Sequence, residues 1–346
     1  MTQDRSSSTL ASPAPGMRNP VSPFTRAWGG TLVVLLLLIG GWWYSASVRD
    51  VQVQLTGATM GTTYTVKIPR VPEPIVAETL QTELDRLLAK VNRQMSTYDP
   101  ESELSRFNRN PSTAWVSVSP ELLFVVQEAH RVSQLTGGAF DVTVGPLVNL
   151  WGFGPTVTDD DIPTDQAITE AQTRVGYHHL QIRDDPPALK KTLPDLSVDL
   201  SAIAKGYAVD LLADYLETLD VSDYMVEIGG ELRVKGHNAQ GASWRIAIEK
   251  PTPNERTVER IISLTDQGIA TSGDYRNFFE RDGQRYSHAI DPTTGRPIRH
   301  DLASVSVVHP STTLADAWAT GLIVSGSRER LATRRTARLS GTIHRD

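Results

Sequence analysis

The chain contains 346 residues, has a formal net charge of −6 and has no cysteine. Its length suits one large domain or two ordinary ones, and its 39% hydrophobic and 21% charged residues exclude a disordered chain. The acidic balance argues against a nucleic-acid-binding protein. The lack of cysteine excludes disulfides, thiolate-bound zinc, iron–sulfur clusters, a thiol nucleophile and a lipid-modified N-terminal cysteine.

The N-terminal segment predicts a membrane anchor. Residues 1–26 are rich in Ser, Pro and Thr and are predicted to form a disordered cytoplasmic tail. Residues 27–46 are uncharged and long enough to cross a bilayer as a helix, with an aromatic belt at 42–44. Arginines before this run predict a single-pass protein with its N-terminus in the cytoplasm and its body on the other side of the membrane. A cleaved signal sequence is the alternative, because small residues follow Ala46.

The rest of the chain mixes helix and strand patterns without a strict β-α-β alternation. Helices are predicted at 75–95, from Ser119 and Pro120 to the glycines at 137–138, at 202–219 and at 313–324. Strands are predicted at 51–68, interrupted at Gly57 and Gly61, and at 224–235, 244–249, 261–264, 269–272 and 303–309. This order predicts an α+β fold, with a largely antiparallel sheet and flanking helices in a single body over 47–326.

The last segment, 327–346, is basic and poor in core residues. Its pattern does not indicate a further strand, so it is interpreted as an atypical tail beyond the folded body. Without a final strand, one edge of the sheet would be left unpaired.

Several common sites are excluded by their absent motifs. The sequence contains no dinucleotide-binding glycine fingerprint, no P-loop, no nucleophile elbow and no zinc-protease motif. The adjacent pair His178 and His179 cannot aim both rings at one metal from a regular helix or strand. Four other segments contain the candidate residues.

The first two candidate segments are 137–154 and 198–210. In the first, glycines permit close backbone approach to a ligand, and Phe140, Trp151 and Phe153 offer flat apolar surface. In the second, Asp199 precedes a helix start whose free N–H groups favour anions. Lys205 lies in the second turn of that predicted helix, where it is either a ligand-binding cation or a solvated lysine.

The other two segments are 271–295 and 313–321. His288 lies where a strand meets a turn, so it is either catalytic or a satisfied loop histidine. Asp291 is interpreted as a turn former that helps to orient His288. Asp316 and Thr320 share one helix face, and their oxygens are the hard ligands that Mg²⁺ prefers; packing of Thr320 and solvation of Asp316 are the alternative.

Seven motifs occur in an order that resembles the ApbE family, the FAD:protein FMN transferases. They are TMGTTY, MSTYDPESELSRFN, GAFDVTVGPLVNLWGFG, VDLSAIAKGYAVD, EIGGELRVKG, SGDYRNFFE with YSHAIDPTTGRP, and LADAWAT. The resemblance runs from about residue 55 to about residue 325. It implies a T-fold-like catalytic body, an extracytoplasmic location, and Mg²⁺-dependent transfer of FMN from FAD to a Thr or Ser of a target protein, with release of AMP.

The resemblance also implies roles for individual residues. His288 matches the base that activates the acceptor hydroxyl. The implied FAD-binding residues are Met60, Tyr98, Ala139, Phe140, Asp141, Asp199, Lys205 and Ile290. The implied Mg²⁺ site consists of Ala202, through its backbone carbonyl, with Asp316, Ala319 and Thr320.

Two alternative activities remain open at this point. An FAD pyrophosphatase would use the same residues to give FMN and AMP, and a periplasmic flavin-binding protein would bind FAD without catalysis. By family analogy the partner is a flavoprotein subunit of an ion-pumping or electron-transfer complex. The sequence 56–59, TGAT, resembles an acceptor motif, but it overlaps the segment expected to contact FAD and is interpreted as part of the enzyme's own site.

Overall fold

The computed structural model describes residues 52–154, 162–252, 257–275, 277–300, 302–326 and 340–345. The predicted cytoplasmic tail at 1–26 and the predicted anchor at 27–46 lie outside these residues. Within the described ranges, no helix combines the length and the apolar character needed to span a membrane.

The described elements confirm the predicted mixture of helices and strands. The helices are α1 (Ala77–Met95), α2 (Glu103–Arg109), α3 (Pro120–Leu135), α4 (Gly145–Leu150), α5 (Asp165–Gln172), α6 (Ala204–Thr218) and α7 (Thr312–Ser325). The strands are β1 (Val53–Thr59), β2 (Thr62–Ile68), β3 (Val116–Ser117), β4 (Leu180–Arg183), β5 (Ala188–Lys191), β6 (Tyr224–Ile228), β7 (Glu231–Lys235), β8 (Trp244–Glu249), β9 (Val258–Leu264), β10 (Gln267–Gly273), β11 (Phe278–Arg281), β12 (Gln284–Ser287), β13 (Ile290–Asp291), β14 (Arg296–Pro297), β15 (Leu302–His309) and β16 (Ser340–Arg345).

A seven-stranded sheet forms the centre of the body, in the order β1-β2-β6-β7-β10-β15-β16. Every neighbouring pair is antiparallel, as predicted. Side chains from α1, α3, α6 and α7 form the main hydrophobic core with one face of this sheet. The β8–β9 hairpin covers the other face around Leu232, Val234 and Ile269. The sheet is therefore buried on both sides near its middle.

The first predicted strand is in fact a hairpin of β1 and β2. Its two-residue turn is Met60-Gly61, and both residues have positive φ angles, 50° and 72°, as a tight hairpin turn requires. Gly57 does not interrupt β1: it pairs with Tyr64, and a Cβ at Gly57 would lie 2.4 Å from the Tyr64 ring. Gly57 therefore makes room for a buried aromatic side chain.

The predicted helix limits are confirmed to within a few residues. On α1, Leu80, Leu84 and Leu88 are buried, as their spacing predicts. Ser119 caps α3 by accepting a hydrogen bond from Leu122 N at 3.3 Å. α6 begins at Ala204, two residues later than predicted, so Lys205 lies in its first turn and not in its second.

The described fold includes a strand beyond residue 326, in the segment interpreted as an atypical tail. Ser340–Arg345 form β16, which pairs with β15 from Val308↔Ser340 to Leu302↔Arg345. β16 obtains its backbone hydrogen-bond partners from a strand far earlier in the chain. A local pattern of side chains does not reveal such a partner.

Candidate active site

The four candidate segments meet around one cavity of about 440 Å³. This volume lies within the range of small-molecule sites in proteins. Helices α6 and α7, strand β10, the loop after α3 and the segment after β12 all contribute to its wall. The predicted residues that line it are Tyr98, Ala139, Phe140, Asp141, Asp199, Ala202, Lys205, His288, Ile290, Asp316 and Thr320.

Two aspartates fix the loops that form the wall of the cavity. Asp141 is buried, and its carboxylate accepts hydrogen bonds from Thr143 N at 2.8 Å and from Tyr177 N at 2.8 Å. Asp199 accepts from Ser201 N at 2.8 Å and donates its own N–H to the Val142 carbonyl at 2.7 Å. These contacts join the first two candidate segments, so both aspartates shape the cavity through their own loops.

An ion pair lies inside the cavity. Lys205 Nζ is 2.6 Å from Glu231 Oε2, and only 4% of the Glu231 side chain is exposed. Burial alone would lower the pKa of Lys205, but the charges of Glu231 and Asp316 outweigh it and raise that pKa, so the ammonium stays protonated. Burial raises the pKa of the Asp316 carboxyl, and Lys205 partly offsets this effect. Two buried carboxylates thus share one cation.

Asp316 is held by the packing of α7 against α6. Its Oδ2 accepts a hydrogen bond from Gly206 N at 3.0 Å. Gly206 is the third residue of α6, so its N–H is one of the first N–H groups of a helix that have no partner inside the helix, and Asp316 satisfies it. Ala202 lines the cavity and precedes the N-cap residue Ile203, so its carbonyl lies outside the helical hydrogen-bond ladder of α6.

The donor set at this point fits Mg²⁺. It combines the Asp316 carboxylate, the Thr320 hydroxyl and the Ala202 carbonyl, which are all hard oxygen donors and all belong to residues of the cavity wall. Ser272 Oγ lies 3.0 Å from Thr320 Oγ1 and orients it. Among the described residues, no group of three or more His, Asp or Glu side chains forms a metal cluster. A bound Mg²⁺ would therefore depend on waters and on phosphate oxygens of the ligand.

Two contacts orient the ring of His288. Its Nδ1 lies 3.1 Å from the carbonyl oxygen of Asn277, and a carbonyl can only accept, so Nδ1 carries the proton and Nε2 keeps its lone pair. Its ring meets Phe153 edge-on, with the centroids 6.3 Å apart. Burial lowers the pKa of His288, although the Asn277 hydrogen bond and Asp274 oppose this effect. The imidazole is therefore neutral at physiological pH.

A stack of aromatic rings supports the segment around His288. Trp151 stacks on Tyr286 at 5.6 Å, Tyr286 on Phe279 at 5.2 Å, and Phe279 on Phe153 at 5.6 Å. The Trp151 indole N–H also donates to the Gly295 carbonyl at 2.8 Å. The aromatic residues of the first candidate segment thus pack mainly against the β11–β12 hairpin, and only Phe153 of these four rings lines the cavity.

Two predicted residues are not part of the cavity wall. Met60 lies in the β1–β2 turn, three residues from Thr63, whose carbonyl accepts from the cavity residue Gly229 at 3.1 Å. Ala319 is fully buried in α7. Their roles in binding FAD and Mg²⁺ stay predictions.

Two other interpretations concern turns and strands next to the site. Asp291 forms a turn, because its Oδ1 accepts from Thr293 N at 2.9 Å and its carbonyl accepts from Gly295 N at 2.8 Å. Thr59, the last residue of the acceptor-like sequence, is buried in β1 and accepts from Asn92 Nδ2 at 3.2 Å. Its packing agrees with the interpretation of this sequence as part of the enzyme.

Sequence reasoning missed Glu231, Ser272 and Asn277, which all line the cavity. Glu231 had a usable signal, because it follows a Gly-Gly pair inside the segment 224–235, which was predicted as one strand and forms β6 and β7. Ser272 and Asn277 had none, since Ser272 acts through its contact with Thr320 and Asn277 through its backbone carbonyl.

A neutral imidazole, an ammonium group and hard oxygen donors facing one cavity are the kinds of groups found at sites of phosphoryl transfer. The ApbE family model matches residues 60–341, and the chain belongs to the ApbE family.

The relatives are similar over most of the chain. The FAD:protein FMN transferase of Vibrio cholerae serotype O1 is 55% identical over 281 residues, which cover 81% of this chain and 84% of that protein. The protein of the same name from Haemophilus influenzae is 47% identical over 284 residues, which cover 81% and 82%.

Solved structures agree with the fold. The flavin transferase ApbE from Vibrio cholerae superimposes with a TM-score of 0.79 at 52% identity, covering 84% of this chain and 93% of that one. The Pseudomonas stutzeri flavinyl transferase ApbE, in its apo form, gives 0.78 at 40% identity, covering 86% and 92%. These likenesses confirm the predicted family and the antiparallel α+β body.

Proposed function

We propose that this chain transfers FMN from FAD to a Thr or Ser hydroxyl of an acceptor protein, depends on Mg²⁺ and releases AMP. The observation that carries the proposal is the tautomer of His288, which presents Nε2 as a base in the same cavity as Lys205, Asp316 and Thr320. The relatives from Vibrio cholerae and Haemophilus influenzae, which are named FAD:protein FMN transferases, support it. The resemblance of the motifs extends it to the hydroxyl acceptor and to the metal.

The reaction requires one bond to form and one to break. The acceptor oxygen bonds to the phosphorus on the FMN side of the pyrophosphate, and the bond from that phosphorus to the AMP oxygen breaks. AMP leaves with the electron pair, and the hydroxyl proton passes to His288 Nε2. A hydroxyl is a weak nucleophile at neutral pH, so this proton transfer is the contribution the chain must supply.

The charged groups of the cavity hold the phosphates. Lys205 supplies a fixed positive charge near the bond that breaks. A Mg²⁺ bound by the Asp316 carboxylate, the Thr320 hydroxyl and the Ala202 carbonyl would neutralise charge on the pyrophosphate. Tyr98, with 68% of its surface exposed, lies at the cavity wall, where a flat flavin or adenine ring can stack on it.

The proposed location is the periplasmic face of the cytoplasmic membrane. The apolar run at 27–46 and the arginines before it support this location. The proposed partner is a flavoprotein subunit of an ion-pumping or electron-transfer complex that exposes its target hydroxyl on the same side. Alkaline phosphatase fused after residue 346 would be active in cells if the body is exported and inactive if it is cytoplasmic.

The activity is tested by intact-mass spectrometry of an acceptor domain incubated with the purified chain, FAD and Mg²⁺. A mass gain equal to FMN, lost when EDTA is added, is the expected result. Free FMN and AMP with an unmodified acceptor would instead indicate the pyrophosphatase. FAD that stays intact and bound would indicate a flavin-binding protein without catalysis.

A further inference from the structure

Glu231 is a buried carboxylate of the cavity that the proposed reaction does not use. It is the first residue of β7, directly after the Gly229-Gly230 turn, whose φ angles are 59° and 105°. The turn is held by Glu227, whose Oε1 accepts from Gly230 N at 2.7 Å. The hairpin thereby places Glu231 at a fixed position in the cavity wall, with 3% of its surface exposed.

Glu231, and not Asp316, is the carboxylate that contacts Lys205 among the described residues. The Lys205 Nζ–Glu231 Oε2 distance is 2.6 Å. Asp316 acts on Lys205 only through its charge, and its Oδ2 is occupied by Gly206 N at 3.0 Å. The lysine therefore has two carboxylates within electrostatic reach and is bound to one of them.

Whether Lys205 pairs with Glu231 or with Asp316 determines whether the Asp316 carboxylate is free to bind a metal ion. A lysine side chain is flexible and its ammonium is a compact charge, so without Glu231 it would move to the nearest remaining carboxylate. In a low-dielectric cavity an unpaired charge costs more than a paired one, which makes this rearrangement favourable. An ammonium on Asp316 would then compete with a divalent cation for the same carboxylate.

We propose that Glu231 is a positioning residue that holds Lys205 away from Asp316 and so keeps the Asp316 carboxylate available to Mg²⁺. This inference rests on the proposed function. Under this proposal the Mg²⁺ affinity of the site depends on Glu231, a residue outside the donor set. Residues that act on a metal through its ligands change metal affinity by about 10–100-fold when they are replaced.

The test is a double-mutant cycle on the full chain in detergent, with Mg²⁺ binding measured by isothermal titration calorimetry. Glu231→Gln is expected to weaken Mg²⁺ binding by about tenfold or more. In the Lys205→Met background the same substitution is expected to change Mg²⁺ affinity less than about twofold, since no ammonium competes there. An equal loss in both backgrounds would overturn the proposal, because Glu231 would then act by its own charge or as a ligand.

Glu227→Gln is the matched control. It removes one negative charge that acts on Lys205 but does not contact Nζ, and a Gln oxygen can still accept from Gly230 N. If Glu227→Gln keeps a Mg²⁺ affinity within about twofold of the unsubstituted chain, the result supports the Lys205–Glu231 contact as the cause of the loss in Glu231→Gln. A loss as large as that of Glu231→Gln would overturn the proposal in favour of net charge.

A second measurement separates this inference from the proposed function. Glu231→Gln is expected to raise the Mg²⁺ concentration needed for half-maximal FMN transfer. This increase should be a larger factor than the decrease in the transfer rate at saturating Mg²⁺. If the unsubstituted chain transfers FMN but Glu231→Gln lowers only the melting temperature, the inference alone fails. If the unsubstituted chain neither binds Mg²⁺ nor transfers FMN, both fail.

Discussion

His288 shows how a single backbone contact can decide which ring nitrogen is free to accept a proton. The Asn277 carbonyl fixes the proton on Nδ1, and Phe153 limits rotation of the ring, so Nε2 is left as the acceptor. Neither contact comes from the turn that follows His288 in the sequence. Asp291, which the sequence offered as an orienting group, makes its described hydrogen bonds within that turn.

Replacement of His288 is expected to reduce FMN transfer and to leave FAD binding nearly unchanged. His288→Ala should lower the rate of FMN transfer by about 10²–10⁴-fold, which is the usual contribution of a positioned general base. The dissociation constant for FAD, measured by flavin fluorescence, should stay within about threefold of that of the unsubstituted chain, since the other cavity residues are unchanged. A variant that transfers FMN at the original rate would show that another group takes the proton.

The pH dependence of transfer should reflect the lowered pKa of His288. Nε2 accepts a proton only in the neutral ring, so the rate should fall as pH drops through this pKa. Because burial lowers the pKa, the fall should occur below about pH 6.5, the ordinary histidine value, and the rate should be level just above it. Profiles of transfer at saturating FAD, measured from about pH 5 to 8, would check this. A midpoint above 6.5 would contradict it.

At the scale of elements, the contact between α6 and α7 assembles the predicted metal site. Asp210 on α6 caps the start of α7, accepting from Thr312 N and Thr313 N at 2.9 Å each. Gly206, one turn earlier, donates to Asp316. A Cβ on Gly206 would lie 2.4 Å from the Thr312 carbonyl oxygen, so only glycine permits this approach. The two helices are thus fixed both at the cap and at the carboxylate.

Gly206→Ala is therefore expected to separate the helices. The new methyl group must displace backbone, at a cost of about 1–3 kcal/mol in the free energy of unfolding. Transfer activity should fall further than stability alone explains, because Asp316 and the Ala202 carbonyl move together. Chemical denaturation and the mass-spectrometric transfer assay would measure the two effects.

The control for this substitution is Gly145→Ala on α4. A Cβ there would meet its nearest atom, Ser197 Oγ, at an ordinary 3.7 Å. Its stability should therefore change by less than about 0.5 kcal/mol. Equal effects of the two substitutions would rule out the steric explanation.

At the scale of the whole molecule, the order of the strands in the sheet determines which strands would become exposed edges if a neighbour were removed. β15 lies between β10 and β16, and residues from Leu302 to Val307 are buried. β15 thus depends on a strand from the end of the chain. An apolar strand of this kind would be an edge open to other molecules if β16 were removed.

Truncation after Gly326 is expected to destabilise the protein and promote aggregation. The change leaves the outer N–H and C=O groups of β15 without ladder partners. Thermal unfolding should begin at a lower temperature, and light scattering should rise with protein concentration. Deletion of Asp346 alone, which removes no residue of β16, is the control and should leave both measurements unchanged. A truncated chain as stable as the full one would mean that β16 contributes nothing.

The sequence predicted those parts of the fold that depend on neighbouring residues. The helix α3 was predictable from Ser119, Pro120 and the glycines at 137–138, because caps and stops act locally. In the segment 51–68, the predicted interruption at Gly61 is confirmed as a turn, but the one at Gly57 is not, since Gly57 lies within β1 opposite the Tyr64 ring. The strand β16 was missed because its described backbone pairing is with β15, which its own side-chain pattern does not reveal.

By itself the sequence determined the family, the antiparallel α+β class and eleven of the residues that line the cavity, because ordered motifs and local periodicity are properties of the chain. Tertiary structure alone decided which groups those residues contact. The contact of His288 with Asn277, the hydrogen bond from Gly206 to Asp316 and the pairing of Lys205 with Glu231 each join residues of different elements or loops. The energies of hydrogen bonds and of charge–charge interactions depend on the distance between the groups, and only the folded chain sets those distances.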